Sequence, residues 1–205
     1  KSYEKGELLL ETVPQNPLSL FETWFQEAVA SEVVDEANAM TLSTVDADGF
    51  PRGRVVLLKE YAPEGFVFYT NYGSEKGRAI AKENKVCISF FWPGLERQII
   101  IKGIAEKTSE EQSLAYFNKR PRASQLGALV SEQSERIESR EALEAKLNTL
   151  EKKFEGVGIP KPLNWGGYRI RPVAYEFWQG RRSRLHDRIV FIKSKEEWKL
   201  ERLQP

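Results

Sequence analysis

The chain has 205 residues, 40% hydrophobic and 30% charged, enough apolar material for one packed core. Its 31 basic and 30 acidic residues leave a net charge of +1, so no global field draws it to nucleic acid or an anionic membrane. One cysteine and one histidine exclude an internal disulfide and any zinc or haem site built on several imidazoles.

No stretch approaches ~20 consecutive apolar residues, so no membrane-spanning helix is expected. The opening "KSYEKGELLLETVP" lacks a secretion-signal layout, and a reducing, cytoplasmic setting is the expectation.

In chain order, "NPLSLFETWFQEAVAS" predicts a helix. Asn16 is its cap, Pro17 lies in its first turn, and Leu20, Phe21, Trp24, Phe25, Ala28 and Val29 form one apolar stripe. Strands follow as "AMTLSTV", "RGRVVLLKEY" and "FVFYTN", joined at "DADG" and "APEG", and such short connections predict an antiparallel meander. After a short helix, "SEKGRAIAKEN", the segments "KVCISFFW" and "RQIIIKGIAEK" form another hairpin about "PGLE". Cys87, in the first of these, reads as a small buried hydrophobe.

Three helical stretches come next: "SEEQSLAYFNKR", "PRASQLGALVSEQS" and "SREALEAKLNTLEKKFEG". The last carries Leu143, Leu147, Leu150 and Phe154 on one face, with Gly156 as a stop. Beyond "IPKPLN" lie "WGGYRIRPVAYEFWQG", "LHDRIVFIK" and "EWKLERL". The fold class is α+β. Many antiparallel strands with few protected edges predict closure into a small barrel with helices outside.

Four clusters carry chemistry. "RVVLLK" ends in Arg54 and Lys59, which a regular strand would place on opposite faces. In "YTNYGSEKGR" a strand ends, Ser74 caps a helix, and Lys76 and Arg78 ride its first turn, a seat for phosphate opposed by Glu75. In "YFNKRPRASQ", Tyr116 and Arg120 share a helix face and Ser124 follows Pro121, so a phenol, a planar guanidinium and a hydroxyl suit a second phosphate. The fourth, "YEFWQGRRSRLHDR", combines Trp178 with the lone histidine. Arg184 and His186 would point the same way in an extended backbone. Each cluster alone also fits a plain surface role: snorkelling cations, a routine cap, a salt-bridged helix face, a structural histidine. Together they point to a flat, phosphorylated ligand, or two, without naming a reaction.

The spaced motifs "RVVLLK", "FYTN", "S-x-K", "ERQ", "YF-x-x-RP-x-x-SQ-x-GA", "SEQS", "WGGYR" and "EFWQG…RLHDR" resemble the pyridoxine (pyridoxamine) 5′-phosphate oxidase family. The likeness runs from about Tyr3 to the closing "ERLQP". It implies a single domain over residues 1–205, an FMN-binding split β-barrel, antiparallel and Greek-key-like, with flanking helices. A C-terminal dimerisation and active-site segment would cover about 160–205. It further implies a homodimer with FMN at the interface. The activity would be oxidation of pyridoxamine or pyridoxine 5′-phosphate to pyridoxal 5′-phosphate, by hydride transfer from C4′ to flavin N5. O2 would be the acceptor and H2O2 the by-product, in vitamin B6 biosynthesis and salvage.

Carried over by position, the cofactor contacts would be Arg54, Val55, Val56, Leu57, Leu58, Lys59, Tyr69, Thr70, Lys76, Gln98, Gln133, Ser134, Trp178 and Arg188, several from the second subunit. The substrate contacts would be Tyr3 in a lid, Lys59, and Tyr116, Arg120 and Ser124 on the phosphate, with Arg184, Leu185 and His186 at the ring. Arg184 and His186 would be the catalytic pair, while Arg181 and Arg182 would be solvated loop residues. One departure stands out: relatives commonly carry arginine before the lysine of "S-x-K", and this chain has Glu75, which would weaken FMN unless Arg78 compensates. Two other readings remain: a non-catalytic flavin-binding split barrel, with no need for "RP-x-x-SQ" or "RLHDR", and a nucleic-acid-binding barrel, disfavoured by the charge balance.

Overall fold

Helix α1 (Pro17–Ala30) begins as the sequence predicts. The Asn16 side chain accepts the Leu18 N–H at 3.0 Å, and Pro17 pre-sets the first turn. The computed structural model describes residues 3–195 and 197–205. Leu20, Phe21, Trp24 and Ala28 of α1 are buried, and the Phe21 ring meets Phe25, Tyr61, Phe66 and Phe90. Phe25 lies at the edge of this stripe, only partly buried, and Val29, four residues on, is 62% exposed. The stripe is narrower than expected.

Strands β1 (Ala39–Val45), β2 (Pro51–Leu57), β3 (Glu60–Ala62) and β4 (Gly65–Asn71) come first, followed by α2 (Glu75–Lys82). The hairpin β5 (Lys85–Trp92) and β6 (Arg97–Lys107) precedes α3 (Glu110–Lys119), α4 (Arg122–Val130) and α5 (Arg140–Lys153). The chain ends in β7 (Trp165–Gln179), β8 (Asp187–Ser194) and β9 (Glu197–Leu203).

The predicted strand "RGRVVLLKEY" is two strands. At its break the Leu58 N–H donates to the Asn38 carbonyl and the Lys59 N–H to the Val67 carbonyl, so the chain leaves β1 and joins β4. This corner also settles Arg54 and Lys59: only Arg54 is in β2, and strand alternation does not relate them.

The sheet is antiparallel, in the order β2-β1-β5-β6-β7-β4-β3. The long β7 pairs with β4 through Trp165–Ile170 and with β8 through Ala174–Gln179, and β9 follows on β8. Among the described residues no ladder joins β2 to β3 or β9, so the sheet curls around its core without the closure expected, and the barrel is split. Phe66, Phe68, Phe90, Phe177 and Phe191 are fully buried inside it, each contributing about 1.5–3 kcal/mol.

A second cluster holds Phe117, Leu126, Ile159 and Trp165, with Leu147, Leu150 and Phe154 partly buried against it. It fastens α3, α4 and α5 to the start of β7. Leu143 is 37% exposed, so α5 docks with only part of its apolar face. Cys87 is partly rather than fully buried, and burial still pushes its thiol pKa up, away from reactivity.

Candidate functional site

A cavity of about 500 Å³ opens beside β2, the end of β4, the start of α2 and the α3–α4 junction. Val55, Val56, Leu57, Lys59, Tyr69, Thr70, Lys76, Tyr116, Arg120, Ser124 and Gln133 all line it. Most of two predicted clusters therefore meet in one place. Leu58 does not join them: it is 4% exposed, in the core.

One wall is aromatic. Tyr69 stacks on Tyr116 at 3.8 Å between centroids and on Trp165 at 5.6 Å, with planes 9° and 12° apart. The Arg120 guanidinium lies 4.8 Å from the Trp165 ring centre. Arg120 is the C-cap of α3, and Pro121 starts α4. The Gln125 amide fixes this junction by donating to the Phe117 and Arg120 carbonyls, each at 3.1 Å. Among the described residues, Arg120 Nη1 is buried with no hydrogen-bond partner, and desolvation lowers the group's pKa. An unmet buried donor costs about 1–3 kcal/mol, a cost that an anionic oxygen would remove. Arg122 turns away, to the Phe154 and Val157 carbonyls.

The second anion seat lies at α2. Ser74 caps the helix by accepting the Gly77 N–H at 3.3 Å. Gly77 must be glycine, since a Cβ there would lie 2.1 Å from the Tyr72 carbonyl oxygen. Lys76 Nζ donates to Thr70 Oγ1, Ser74 Oγ and Gln133 Oε1 at 3.2, 3.2 and 3.0 Å. Burial, and then Arg54, lower the Lys76 pKa to about 8, against an opposing pull from Glu75. Arg54 Nη1 donates to Thr44 Oγ1 at 2.7 Å and to the Leu42 carbonyl at 3.1 Å, while Nη2 has no hydrogen-bond partner among the described residues. Desolvation lowers the Arg54 pKa as well. Two partly desolvated cations, one of them with a spare donor, suit a phosphate. Ser134 does not line the cavity; its hydroxyl accepts the Glu75 N–H at 3.2 Å.

The remaining predicted residues lie at the other end of β7. Gln98, Trp178 and Arg188 are ladder partners across β6, β7 and β8 and share a face. Arg188 Nε donates to Glu176 at 2.8 Å. The His186 ring lies 4.7 Å from Trp178 and 5.6 Å from Tyr3. Its Nδ1 accepts the Arg181 N–H at 3.1 Å, which leaves Nε2 to carry the proton of the neutral ring.

The "RRSRLHDR" stretch is not extended. Arg182–Arg184 form a single 3₁₀ turn in which Ser183 and Arg184 take φ of 57° and 63°. Arg184 and His186 are therefore not related by strand alternation. A left-handed conformation costs a non-glycine residue roughly 1–2 kcal/mol, and such residues concentrate at functional sites.

The N-terminal segment is clamped over this turn. Glu96, 4% exposed, accepts the Glu4 and Lys5 N–H groups on one carboxylate oxygen at 2.8 and 3.0 Å. Arg181 donates to the Gly6 carbonyl at 3.1 Å, and Arg182 to Glu4 at 2.6 Å. Arg182, its side chain 73% exposed, is solvated as expected, whereas Arg181 is only half-exposed; both also hold the segment that brings Tyr3 to Trp178. Gly180 permits this, because a Cβ there would meet the Tyr3 ring at 2.8 Å.

One chain does not unite the two groups. Trp165 lines the main cavity and Trp178 belongs to the distal cluster. At roughly 3.3 Å per residue, the strand between them spans up to about 40 Å. Sequence reasoning also missed Arg52, which holds Glu75 at 2.8 Å, whereas Arg78 pairs with Glu135 at 3.0 Å. It missed Glu96 inside the "ERQ" motif and Trp165 inside "WGGYR", although both motifs were in view.

Known proteins resemble this chain over its whole length. A family model described as pyridoxamine 5′-phosphate oxidase matches residues 26–154. A second, described as the pyridoxine 5′-phosphate oxidase C-terminal dimerisation region, matches residues 165–205. A protein of Christiangramia forsetii named pyridoxine/pyridoxamine 5′-phosphate oxidase is 57% identical over 205 residues, covering 100% of this chain and 96% of its own. One of the same name from Flavobacterium johnsoniae is 56% identical, with 99% and 95% covered. Among solved structures, PhzG from Burkholderia lata, in complex with tetrahydrophenazine-1-carboxylic acid, superposes with a TM-score of 0.90 at 28% identity, covering 98% of this chain and 100% of that one. An FMN-binding protein of Nostoc punctiforme, at TM-score 0.71 and 16% identity over 91% and 96% of the two chains, shares the fold.

Proposed function

The chain belongs to the pyridoxine/pyridoxamine 5′-phosphate oxidase family and is an oxidoreductase; from that premise we propose an FMN-dependent oxidase that makes pyridoxal 5′-phosphate from pyridoxamine or pyridoxine 5′-phosphate. The observation that carries this reading is an aromatic-walled cavity lined by Lys76 at one cation seat and by Arg120, Tyr116 and Ser124 at another. Arg54, outside the lining but close enough to lower the Lys76 pKa, and Arg120 each keep an unmet buried donor among the described residues. One seat suits a cofactor phosphate and the other a substrate phosphate.

FMN fits the residues present: Arg54 and Lys76 would hold its phosphate, with Val55, Val56, Leu57, Tyr69, Thr70 and Gln133 around the rest. When bound, it supplies the acceptor for the hydride leaving the substrate, with O2 as the final oxidant and H2O2 the product. Lys59 reaches the same cavity and would face both ligands. Ser134 would act on the seat through the α2 N-terminus rather than by lining the cavity.

The distal cluster would enter from a second copy. The matched C-terminal dimerisation region supports a homodimer, and the two groups lie at opposite ends of β7. Gln98, Trp178 and Arg188 of that copy would flank the cofactor. His186 would offer Nε2–H to the substrate ring, its orientation fixed by the Arg181 N–H, and Arg184 a guanidinium beside it. Leu185, 69% exposed, would cover the ring, and Tyr3 would close over it. The 205 residues would thus be one domain, with about 160–205 serving both dimerisation and the partner's site.

The test is direct. The purified protein should release FMN on denaturation and, given pyridoxamine 5′-phosphate in air, form the aldehyde with one peroxide per turnover. A colourless protein that stays inert when FMN is supplied would contradict the proposal.

A further inference from the structure

Glu75 stands where an anion seat least tolerates it. It opens α2 beside Lys76, and its charge reaches both Lys76 and Arg54, pulling each pKa up against the burial that lowers it. Its carboxylate nonetheless turns elsewhere. Arg52 Nη1 lies 2.8 Å from Glu75 Oε2 and 3.6 Å from Asp46 Oδ2. Arg52 and Arg54, two apart on β2, share a face of that strand. Arg54 Nη2 stays without a hydrogen-bond partner, 4.0 Å from Asp46, and Lys76 donates to three neutral oxygens. One cation of the group is thus engaged by the acid of the helix turn, and the other two make no hydrogen bond to a carboxylate among the described residues.

We propose that Arg52 is a positioning residue for the cofactor phosphate: by taking the Glu75 carboxylate, it keeps that acid off Lys76 and Arg54 and so keeps the seat open to a dianion. This rests on the reading that the FMN phosphate binds at Arg54 and Lys76. Without Arg52, the Glu75 carboxylate, whose charge already reaches both cations, is released to act on them as a tethered competitor. The pair itself does little for the fold. Side-chain exposures of 51% and 42% make it a solvated bridge, and its removal leaves a folded protein.

The experiment measures FMN and riboflavin dissociation constants by flavin fluorescence quenching. The proteins are the wild type, Arg52→Ala, Glu75→Gln, the double variant and Lys76→Met. Arg52→Ala should weaken FMN about three- to tenfold, the effect of one uncompensated charge near a solvated dianion, and leave riboflavin, which has no phosphate, unchanged. Glu75→Gln should bind FMN at least as well as wild type, and the double variant should match it. Unchanged FMN affinity in Arg52→Ala, with Lys76→Met weakened, overturns the role of Arg52 alone. A weakening that persists in the double variant also overturns it, because Arg52 would then act on the phosphate itself. Unchanged affinity in Lys76→Met overturns the seat, and the proposal with it.

Discussion

Tyr69 and Tyr116 lie ring on ring, 3.8 Å between centroids and 9° from parallel, joining β4 to α3 at the mouth of the main cavity. The Tyr69 hydroxyl donates to Glu60 at 3.1 Å, which leaves the Tyr116 hydroxyl as the phenol for the substrate phosphate. Tyr116→Phe should keep the stack and the melting temperature but raise the substrate KM about tenfold or more, the value of a hydrogen bond to a charged group. Tyr116→Ala should add a stability loss of about 0.5–1.5 kcal/mol or more from the lost ring pair. Steady-state kinetics beside thermal denaturation separate the two.

Arg120 should show opposite signs in function and stability. Its Nη1 is buried and unpartnered, and its guanidinium rests on Trp165. Arg120→Met keeps an apolar stem on that ring and removes the unmet donor. The melting temperature should stay level or rise, while kcat/KM falls about 100-fold with the loss of the planar fork. A fall in both would mean that Arg120 holds the α3–α4 junction rather than awaiting an anion.

The Lys76 pKa near 8 predicts a pH dependence with a defined sign. The phosphate favours the protonated amine, so FMN binding should take up protons near pH 8 and weaken as pH rises above it. In the FMN-free protein the same group runs the other way. Its folded pKa lies below the ordinary 10.5, the unfolded chain binds more protons between those values, and stability from this group rises with pH across that window. Flavin titrations from pH 6.5 to 9.5 check the first, and Lys76→Met should flatten the curve.

The Glu96 carboxylate holds the N-terminal segment through the Glu4 and Lys5 N–H groups, and so holds Tyr3 against Trp178 and His186. Glu96→Ala should free that segment, speed tryptic cleavage at Lys5 and raise KM severalfold with kcat less affected. Glu96→Gln, which retains an accepting oxygen, should fall between. Cleavage rates and kinetics on the same preparations decide it.

What the sequence made legible follows from the range of the interactions. The Ser74 cap and the alternation of β5 and β6 are local, and the structure keeps them. Tyr116 and Arg120 reach one cavity, but not by a shared helix face, because Arg120 has already left α3 as its extended C-cap. The break after Leu57 was hidden, because it depends on the carbonyls of Asn38 and Val67, far along the chain. The pairing of Arg52 with Glu75 was hidden for the same reason, joining a strand to a helix. The positive φ of Ser183 and Arg184 had no glycine to announce it. Nor could residue order reveal that Arg120 and His186 sit at opposite ends of β7.

That separation makes mixed dimers the most direct measurement. Arg120→Ala and His186→Ala chains, each inactive alone, should be mixed one to one, unfolded together and refolded with FMN. If each site takes its phosphate seat from one chain and its histidine from the other, half of the dimers carry one intact site, and activity returns to about a quarter of wild type. No recovery, with dimers and bound FMN present, would place both residues in the same chain's site and contradict the account.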